Sequence, residues 1–398
     1  MKRRCLVLAS HLGVLGGMRT AIIAIRKTLI DLGWEVTVAS YEPTGTSTIL
    51  GGSLIPHHFH VWTARAVKRL QESIIEHLHT LGADGAYNIV WSRDAVGAWA
   101  AAEAWPKTPV IFHPACVIEH IYLDNLKALP WWLPKVAVQR WLIFPSLLAK
   151  LGQIEGDALI RSSQVVCFSR WLADQLRIVH PKSKFSAAVI PPGVDTDRYR
   201  PDDQMRAAIR TELGLSEEQL VLVSVGRMVP EKNLSIVAEA IAGLDNKPAW
   251  IVVGGGGQEV LVRNEISKWI DPEIIRFTGA TESPQRYMVA ADALVLASFR
   301  ESLGQVLVEA AACGLWLMAP DSRLSGVQTA SREVLEGLSA FYWPSADVGG
   351  CREAMKAFLA LKPNERKTGG SHNAAQSRSR FSWEQHVRQV IGLLKEKL

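Results

Sequence analysis

Two short segments of this chain gather residues that could do chemistry. In Gly226-Arg227-Met228-Val229-Pro230-Glu231-Lys232-Asn233, Arg227 and Lys232 lie five residues apart across a proline-containing turn. Arginine offers a rigid planar fork and lysine a compact point charge, so the two can converge on one phosphate-rich group. Taken alone, the segment favours the plainer reading of two solvated loop cations. In Glu301-Ser302-Leu303-Gly304-Gln305-Val306-Leu307-Val308-Glu309, Glu301 falls in a loop and Gly304 permits close backbone approach. The free amides of residues 302–306 open a helix, where they suit phosphate oxygens. Glu309 lies about one helical turn further in, on an apolar helix. A carboxylate there is costly unless it is paired or bound to ligand hydroxyls. The structural alternatives are a salt bridge for Glu309 and a dipole-favoured helix-start acid for Glu301.

These segments need elements to position them. Residues 4–9 form an apolar run of strand length, followed by Gly16 and Gly17, a helical pattern over 20–32, and a second strand over 34–40. That β-glycine-α-β order opens a parallel α/β sheet. Further strands are predicted at 89–91, 110–112, 165–168 and 188–190. Pro191, Pro192 and Gly193 then break regular structure. The rhythm restarts with strands predicted at 220–225, 249–253, 275–278, 293–297 and 316–319. Parallel sheets hold ligands at the carboxyl ends of their strands, and both chemical segments follow strand ends. The expected division is 1–195 for a first Rossmann-like domain, 196–375 for a second, and 376–398 for a terminal helix packing back toward the first. Ser382 is the predicted N-cap of that helix.

Five segments in this order resemble glycosyltransferase family 4: 189–199 (Val-Ile-Pro-Pro-Gly-Val-Asp-Thr-Asp-Arg-Tyr), 226–233, 277–279 (Phe-Thr-Gly), 291–298 (Ala-Asp-Ala-Leu-Val-Leu-Ala-Ser) and 301–314, with Phe381-Ser-Trp383 near the end. The resemblance implies an α/β GT-B fold: two facing Rossmann-like domains with parallel sheets and a deep interdomain cleft for a nucleotide-sugar. It implies that Arg227 and Lys232 hold the diphosphate, and that Glu309 takes the ribose hydroxyls. Glu301 and the amides from Ser302 through Leu303, Gly304 and Gln305 to Val306 would hold the sugar and phosphates, and the loop from Thr278 and Gly279 to Thr281 would line the base. In the first half it assigns Gly16 and Gly17 to a glycine turn beside the donor or acceptor, and His113 to contact with the donor sugar. Arg227, Lys232, Glu301 and His113 are the expected catalytic residues. Leu303 in place of Phe, Gln305, and Leu315-Trp316 depart from the family pattern, which bears on sugar identity more than on activity. The implied reaction moves a hexosyl unit from a nucleotide diphosphate sugar, UDP preferred, to an acceptor hydroxyl. Anomeric configuration is retained by front-face substitution.

No cofactor and no metal are expected. Asp195-Thr196-Asp197 has the Asp-x-Asp form of a metal motif, but it lies in the linker. His57, His58 and His60 lack a carboxylate partner. The five cysteines are scattered singly, which argues against a disulfide framework and fits a reducing compartment. Net charge is +5, with 22 Lys+Arg against 15 Asp+Glu in residues 1–200, so the basic half favours anionic ligands or an anionic surface. No nucleic-acid module is evident. Lys2-Arg3-Arg4 before an apolar run has the opening of a signal peptide, but His11 and the following glycines make a first strand the better reading. Residues 125–150 mix Trp131, Trp132, Trp141 and Phe144 with Lys127, Lys135, Arg140 and Lys150. They suit an acceptor groove, or peripheral contact with the inner face of a membrane. A cytoplasmic protein is expected, with a saccharide, lipid-linked sugar or small molecule as acceptor. The rival readings are a GT-B sugar-nucleotide epimerase, a non-catalytic saccharide-binding protein, and a nicotinamide oxidoreductase. The last lacks Gly-x-Gly-x-x-Gly after the first strand.

Overall fold

The computed structural model describes residues 2–10, 16–41, 53–54, 64–118 and 144–394. The chain forms two compact units, residues 1–191 with 383–398 and residues 192–382. The last helix therefore belongs to the first unit.

The first unit carries β1 (Arg4–Ser10), α1 (Gly17–Asp31), β2 (Glu35–Tyr41), β3 (Ser53–Leu54), α2 (Ala64–Leu81), β4 (Ile89–Ser92), α3 (Ala95–Ala104), β5 (Val110–Phe112), α4 (Phe144–Arg161), β6 (Gln164–Cys167), α5 (Arg170–Val179) and β7 (Ala187–Val189). The strands make one parallel sheet in the order β3-β2-β1-β4-β5-β6-β7. The order in which successive strands are added reverses between β1 and β4, the switch point where such sheets bind ligands. The central strands are apolar throughout because both faces are covered: Cys5 to Ala9 and Ile89 to Trp91 are fully buried.

The second unit holds α6 (Asp203–Glu212), β8 (Val221–Val225), α7 (Leu234–Ala242), β9 (Ala249–Val253), α8 (Glu259–Ile266), β10 (Ile275–Gly279), α9 (Gln285–Ala290), β11 (Ala293–Val295), β12 (Arg300–Glu301), α10 (Gln305–Ala312), β13 (Trp316–Pro320), β14 (Gln328–Thr329), α11 (Ser331–Leu335), β15 (Ala340–Trp343), α12 (Val348–Leu359) and α13 (Pro363–Arg380). Its sheet runs β10-β9-β8-β11-β13-β15 and repeats the logic of the first, with the switch between β8 and β11. Sequence reading gave five of these strands. The sixth, β15, is an edge strand with three of four residues half-buried, so it lacks the continuous apolar run of a central strand. The chain ends on α14 (Trp383–Gly392), which is packed in the first unit.

One motif residue, Asp292, is an internal brace. Asp292 at the head of β11 accepts from Arg206 Nη2 at 2.8 Å, Arg210 Nη2 at 3.1 Å and the Val221 amide at 2.8 Å. The two arginines stand one turn apart on α6, and Arg210 also donates to the carbonyls of Ala290, Ser216, Glu217 and Gln219. Removing one partner of a buried charge pair strands the other. Asp292→Ala should therefore cost about 3 kcal/mol of stability. Thermal unfolding checks it, and an unchanged melting temperature would contradict the bracing role.

Candidate functional site

The carboxyl edge of the second sheet is built on glycines. Gly226 ends β8 and Gly254 ends β9, both with positive φ. A Cβ on Gly254 would lie 1.8 Å from the Gly226 carbonyl oxygen, so the two loops can meet only as bare backbone. Gly226 N–H donates to Val253 O, Met228 N–H to Gly255 O, and Gly254 N–H to Gly279 O. Three successive strand ends are thus laced together. Gly254 and Gly255 serve this lacing directly.

The β8 loop next makes a single 3-10 turn, Pro230–Lys232, and Asn233 takes the left-handed conformation at φ 50°. Asn233 Nδ2 donates to Ala297 O at 3.2 Å, which ties this loop to the end of β11. That tie brings Lys232 Nζ to 2.6 Å from Glu301 Oε2. Arg227, Lys232 and Ser298 line one cavity at the switch point. Arg227 is exposed, and no hydrogen bond or ion pair holds its guanidinium among the described residues. Ser298 Oγ and Glu231 Oε2 are buried without a partner.

Gly304, at φ 78° and ψ 59°, turns the chain into α10, and no side chain caps that helix. A Cβ on Gly304 would press on Leu307 at 3.0 Å in addition to the left-handed strain. Leu307 N–H closes on Gly304 O, which leaves the Gln305 and Val306 amides at an uncapped, positively polarised helix start. Glu309 is 8% exposed, and among the described residues nothing hydrogen-bonds its carboxylate. Burial pushes its carboxyl up to about 8, against the opposing pull of the Arg198 charge. Tyr199 is buried beside it, and its hydroxyl is pushed up by burial and by Glu309.

In the first unit the carboxyl ends of β4, β5 and β6 carry Arg93, His113 and Phe168. His113 is fully buried. Its ring meets Phe168 edge-on at 4.3 Å and stacks with His386 of α14 at 5.2 Å. Trp91 Nε1–H donates to His113 Nδ1 at 3.3 Å, so the neutral ring carries its proton on Nε2. His386 donates from Nδ1 to Pro191 O at 2.9 Å, so its Nε2 is a lone pair. Burial drives both imidazoles down, His386 to about 4, which keeps them neutral near pH 7. Neither Nε2 has a partner. One N–H and one lone pair remain, a combination that a single hydroxyl can satisfy. Gly16 precedes α1, which also has no side-chain cap. Its backbone is extended, so glycine is not demanded there by φ.

A family model described as Glycosyltransferase Family 4 matches residues 15–198, and one described as Glycosyl transferases group 1 matches residues 205–339. A D-inositol 3-phosphate glycosyltransferase of Actinosynnema mirum is 30% identical over 328 residues, covering 77% of this chain and 72% of that protein. The chain belongs to glycosyltransferase family 4. A Streptomyces bingchenggensis protein of the same description is 28% identical over 94% of this chain and 83% of its own. The fold matches sucrose-phosphate synthase of Thermosynechococcus elongatus at TM-score 0.76, 17% identity and 99% coverage of both chains. It matches Anabaena HepE, solved in complex with UDP and glucose, at TM-score 0.71, 18% identity and 98% coverage of both. As a family member the chain is a glycosyltransferase of GT-B type, each of its units a Rossmann-like parallel sheet.

Within this family 4 chain the structure brings Arg227, Lys232, Glu301, Ser302, Leu303, Gly304, Gln305 and Val306 to one sheet edge, with Glu309 on the helix behind. Thr278 and Gly279 close the neighbouring β10 loop, where Thr278 Oγ1 donates to Gly279 O. Gly16, Gly17 and His113 lie in the other unit. Asp195 caps its own turn, accepting from the Asp197 and Arg198 amides. His57, His58, His60 and most of 125–150 lie outside the described residues. Among the described residues no helix is long and apolar enough to cross a membrane. Sequence reading missed Arg93 and His386, because nothing local marks either one. Only the fold sets them around Phe168.

Glu309 makes stability depend on pH. The folded state holds a proton that an unfolded glutamate loses near pH 4–5, so this contribution is full below that range and falls as pH rises toward 8. Glu309→Gln should unfold at a higher temperature than the parent at pH 8, with the gap closing at pH 5. Parallel melting curves for the two proteins across that range would count against the assignment.

Proposed function

We propose that this family 4 enzyme is a retaining hexosyltransferase that takes its sugar from a nucleotide diphosphate sugar, UDP preferred, and delivers it to an acceptor hydroxyl. The observation that carries the reading is the edge of the second sheet. There, an unpaired arginine and a lysine share one cavity, and the lysine pairs with Glu301 just ahead of an uncapped helix start. Arg227 and Lys232 take the diphosphate and stabilise the charge that grows on it as the glycosidic bond breaks. The Gln305 and Val306 amides complete the phosphate contacts. Lys232 is held meanwhile by Glu301, which is released to sugar hydroxyls when the phosphates arrive. Glu309, whose carboxylate has no protein partner, accepts from the ribose hydroxyls. Thr278 and Gly279 border the base.

Substitution proceeds on the front face. The departing phosphate oxygen takes the acceptor proton as the acceptor oxygen bonds the anomeric carbon, so configuration is kept. Charge stabilisation comes from cations and helix amides, so the reading calls for no metal. His113, assigned by resemblance, offers its Nε2–H to a sugar hydroxyl. The solved HepE complex with UDP and glucose supports a UDP-sugar donor on the same fold. The epimerase and saccharide-binding alternatives gain no specific observation.

A nucleotide-release screen across UDP-, GDP-, ADP- and dTDP-sugars tests the reading, with release expected from UDP-sugars first. Lys232→Ala should lower turnover about 100-fold while the protein stays folded. Near-normal turnover of that variant would overturn the diphosphate assignment. Because Glu309 must be ionised to accept two hydroxyls, affinity for a UDP-sugar should rise between pH 6 and pH 8 and level off above. Calorimetry of the parent and of Glu309→Gln checks this, and a flat profile in the parent would remove Glu309 from the ribose site.

A further inference from the structure

The first unit contains a buried cation that the donor chemistry leaves unused. Arg93 follows β4 directly and is 2% exposed. Its guanidinium lies over the Phe168 ring at 4.8 Å, and Nε and Nη1 have no hydrogen-bond partner. No carboxylate pairs with it among the described residues. Asp94, the next residue, turns its carboxylate away to cap α3 through the Gly97 amide and to accept from the Ser10 amide. The other acidic groups near Arg93 are the thiols of Cys116 and Cys167. Burial lowers Arg93 to about 10, so it is still charged at neutral pH. The two imidazoles that share its Phe168 packing are neutral there and contribute no compensating charge.

A buried guanidinium with two idle nitrogens is expensive, and native proteins avoid it unless something external completes it. Water can accept from an N–H but cannot neutralise the charge. An anionic oxygen does both. The place also matters: Arg93 stands at the carboxyl edge of the first sheet, one residue past β4 and beside the β1–β4 switch point, where ligands of such sheets lie. The donor phosphates already have Arg227, Lys232 and the α10 amides on the second unit.

We propose that Arg93 is a specificity residue for the acceptor, donating from its guanidinium to the oxygens of a phosphate or carboxylate that the acceptor molecule carries. This rests on the transferase reading above and adds the acceptor's chemical class. The acceptor carries an anionic group; a neutral analogue leaves Arg93 uncompensated and is used poorly.

The test is an acceptor comparison in pairs at saturating donor: myo-inositol against inositol 3-phosphate, and glucose against glucose 6-phosphate and glucuronate. The parent enzyme should favour an anionic member over its neutral parent at least 10-fold in kcat/KM. Arg93→Gln should raise KM for that anionic acceptor about 10-fold and collapse the preference. Arg93→Lys, which keeps the charge but loses the planar donors, should retain part of it and serves if the Gln variant does not fold. Inorganic phosphate should compete with the anionic acceptor in the parent and lose that competition in both variants. Equal use of neutral and anionic acceptors overturns the proposal, as does an undiminished preference in the variants. Phosphate binding without acceptor preference would mean a site for the free anion only, and also overturns it. These failures differ from failure of the transferase reading itself, which would show as no nucleotide release from any donor.

Discussion

The contact between Gly226 and Gly254 governs the chemistry of the second unit. Two loops from adjacent parallel strands converge where no side chain could fit, and their amides bond across the gap. Both cations of the site hang from the first of these loops. Arg227 follows Gly226 immediately, and the 3-10 turn that delivers Lys232 is anchored through Asn233 to Ala297. A parallel sheet splays its strand ends apart at the switch point. The glycine lacing closes one side of that opening, and Arg227, Lys232 and Ser298 line the cavity that remains. A single added methyl at 254 would separate the loops and move both cations, although neither glycine carries a functional group.

The electrostatics of that opening rest on incomplete pairing. Lys232 has Glu301, at 2.6 Å with both side chains about a quarter exposed, so the pair is polar but not sealed. In half-open sites such a pair is worth little by itself, and a stronger anion can displace the carboxylate at small cost. Glu309 is the opposite case: it has lost water without gaining a partner, and its raised pKa measures the cost. Hydroxyl donors would return part of that energy on binding.

Much of this was legible in the sequence, and the reason is local. Parallel strands buried on both faces write continuous apolar runs, and glycines mark their ends, so β1, β8, β9 and the loops after them could be read directly. Gly226-Arg227 and Glu301 to Glu309 lie within single loops and helix starts, so their spacing already encodes their geometry. What was not legible is tertiary. β15 is a half-exposed edge. Asp292 reads as part of a motif, but its bonds to Arg206 and Arg210 bridge more than 80 residues. The group around Phe168 draws on strand ends β4, β5 and β6 and on α14. No window of sequence contains it, and His386 looks like any polar residue of an amphipathic helix.

The residues that depart from the family pattern show how the fold absorbs change without disturbing the backbone of the α10 start. Gln305 opens α10, and its side chain donates to Gly193 O at 3.0 Å, so it steadies the segment that begins the second unit while its amide stays available. Trp316 is accommodated further from the site. It stacks on Phe341 at 5.3 Å and donates to Arg366 O, and a Cβ on Gly369 would lie 2.2 Å from its ring. A large residue at 316 and a missing side chain at 369 are thus one compensated exchange between β13 and α13. Leu303, buried at 8%, is different, because it sits between Glu301 and Gly304 on the loop itself. Its branched, shorter body fills less of the space an aromatic ring would take. Of the three departures it is the one that lies in the loop holding Glu301 against Lys232.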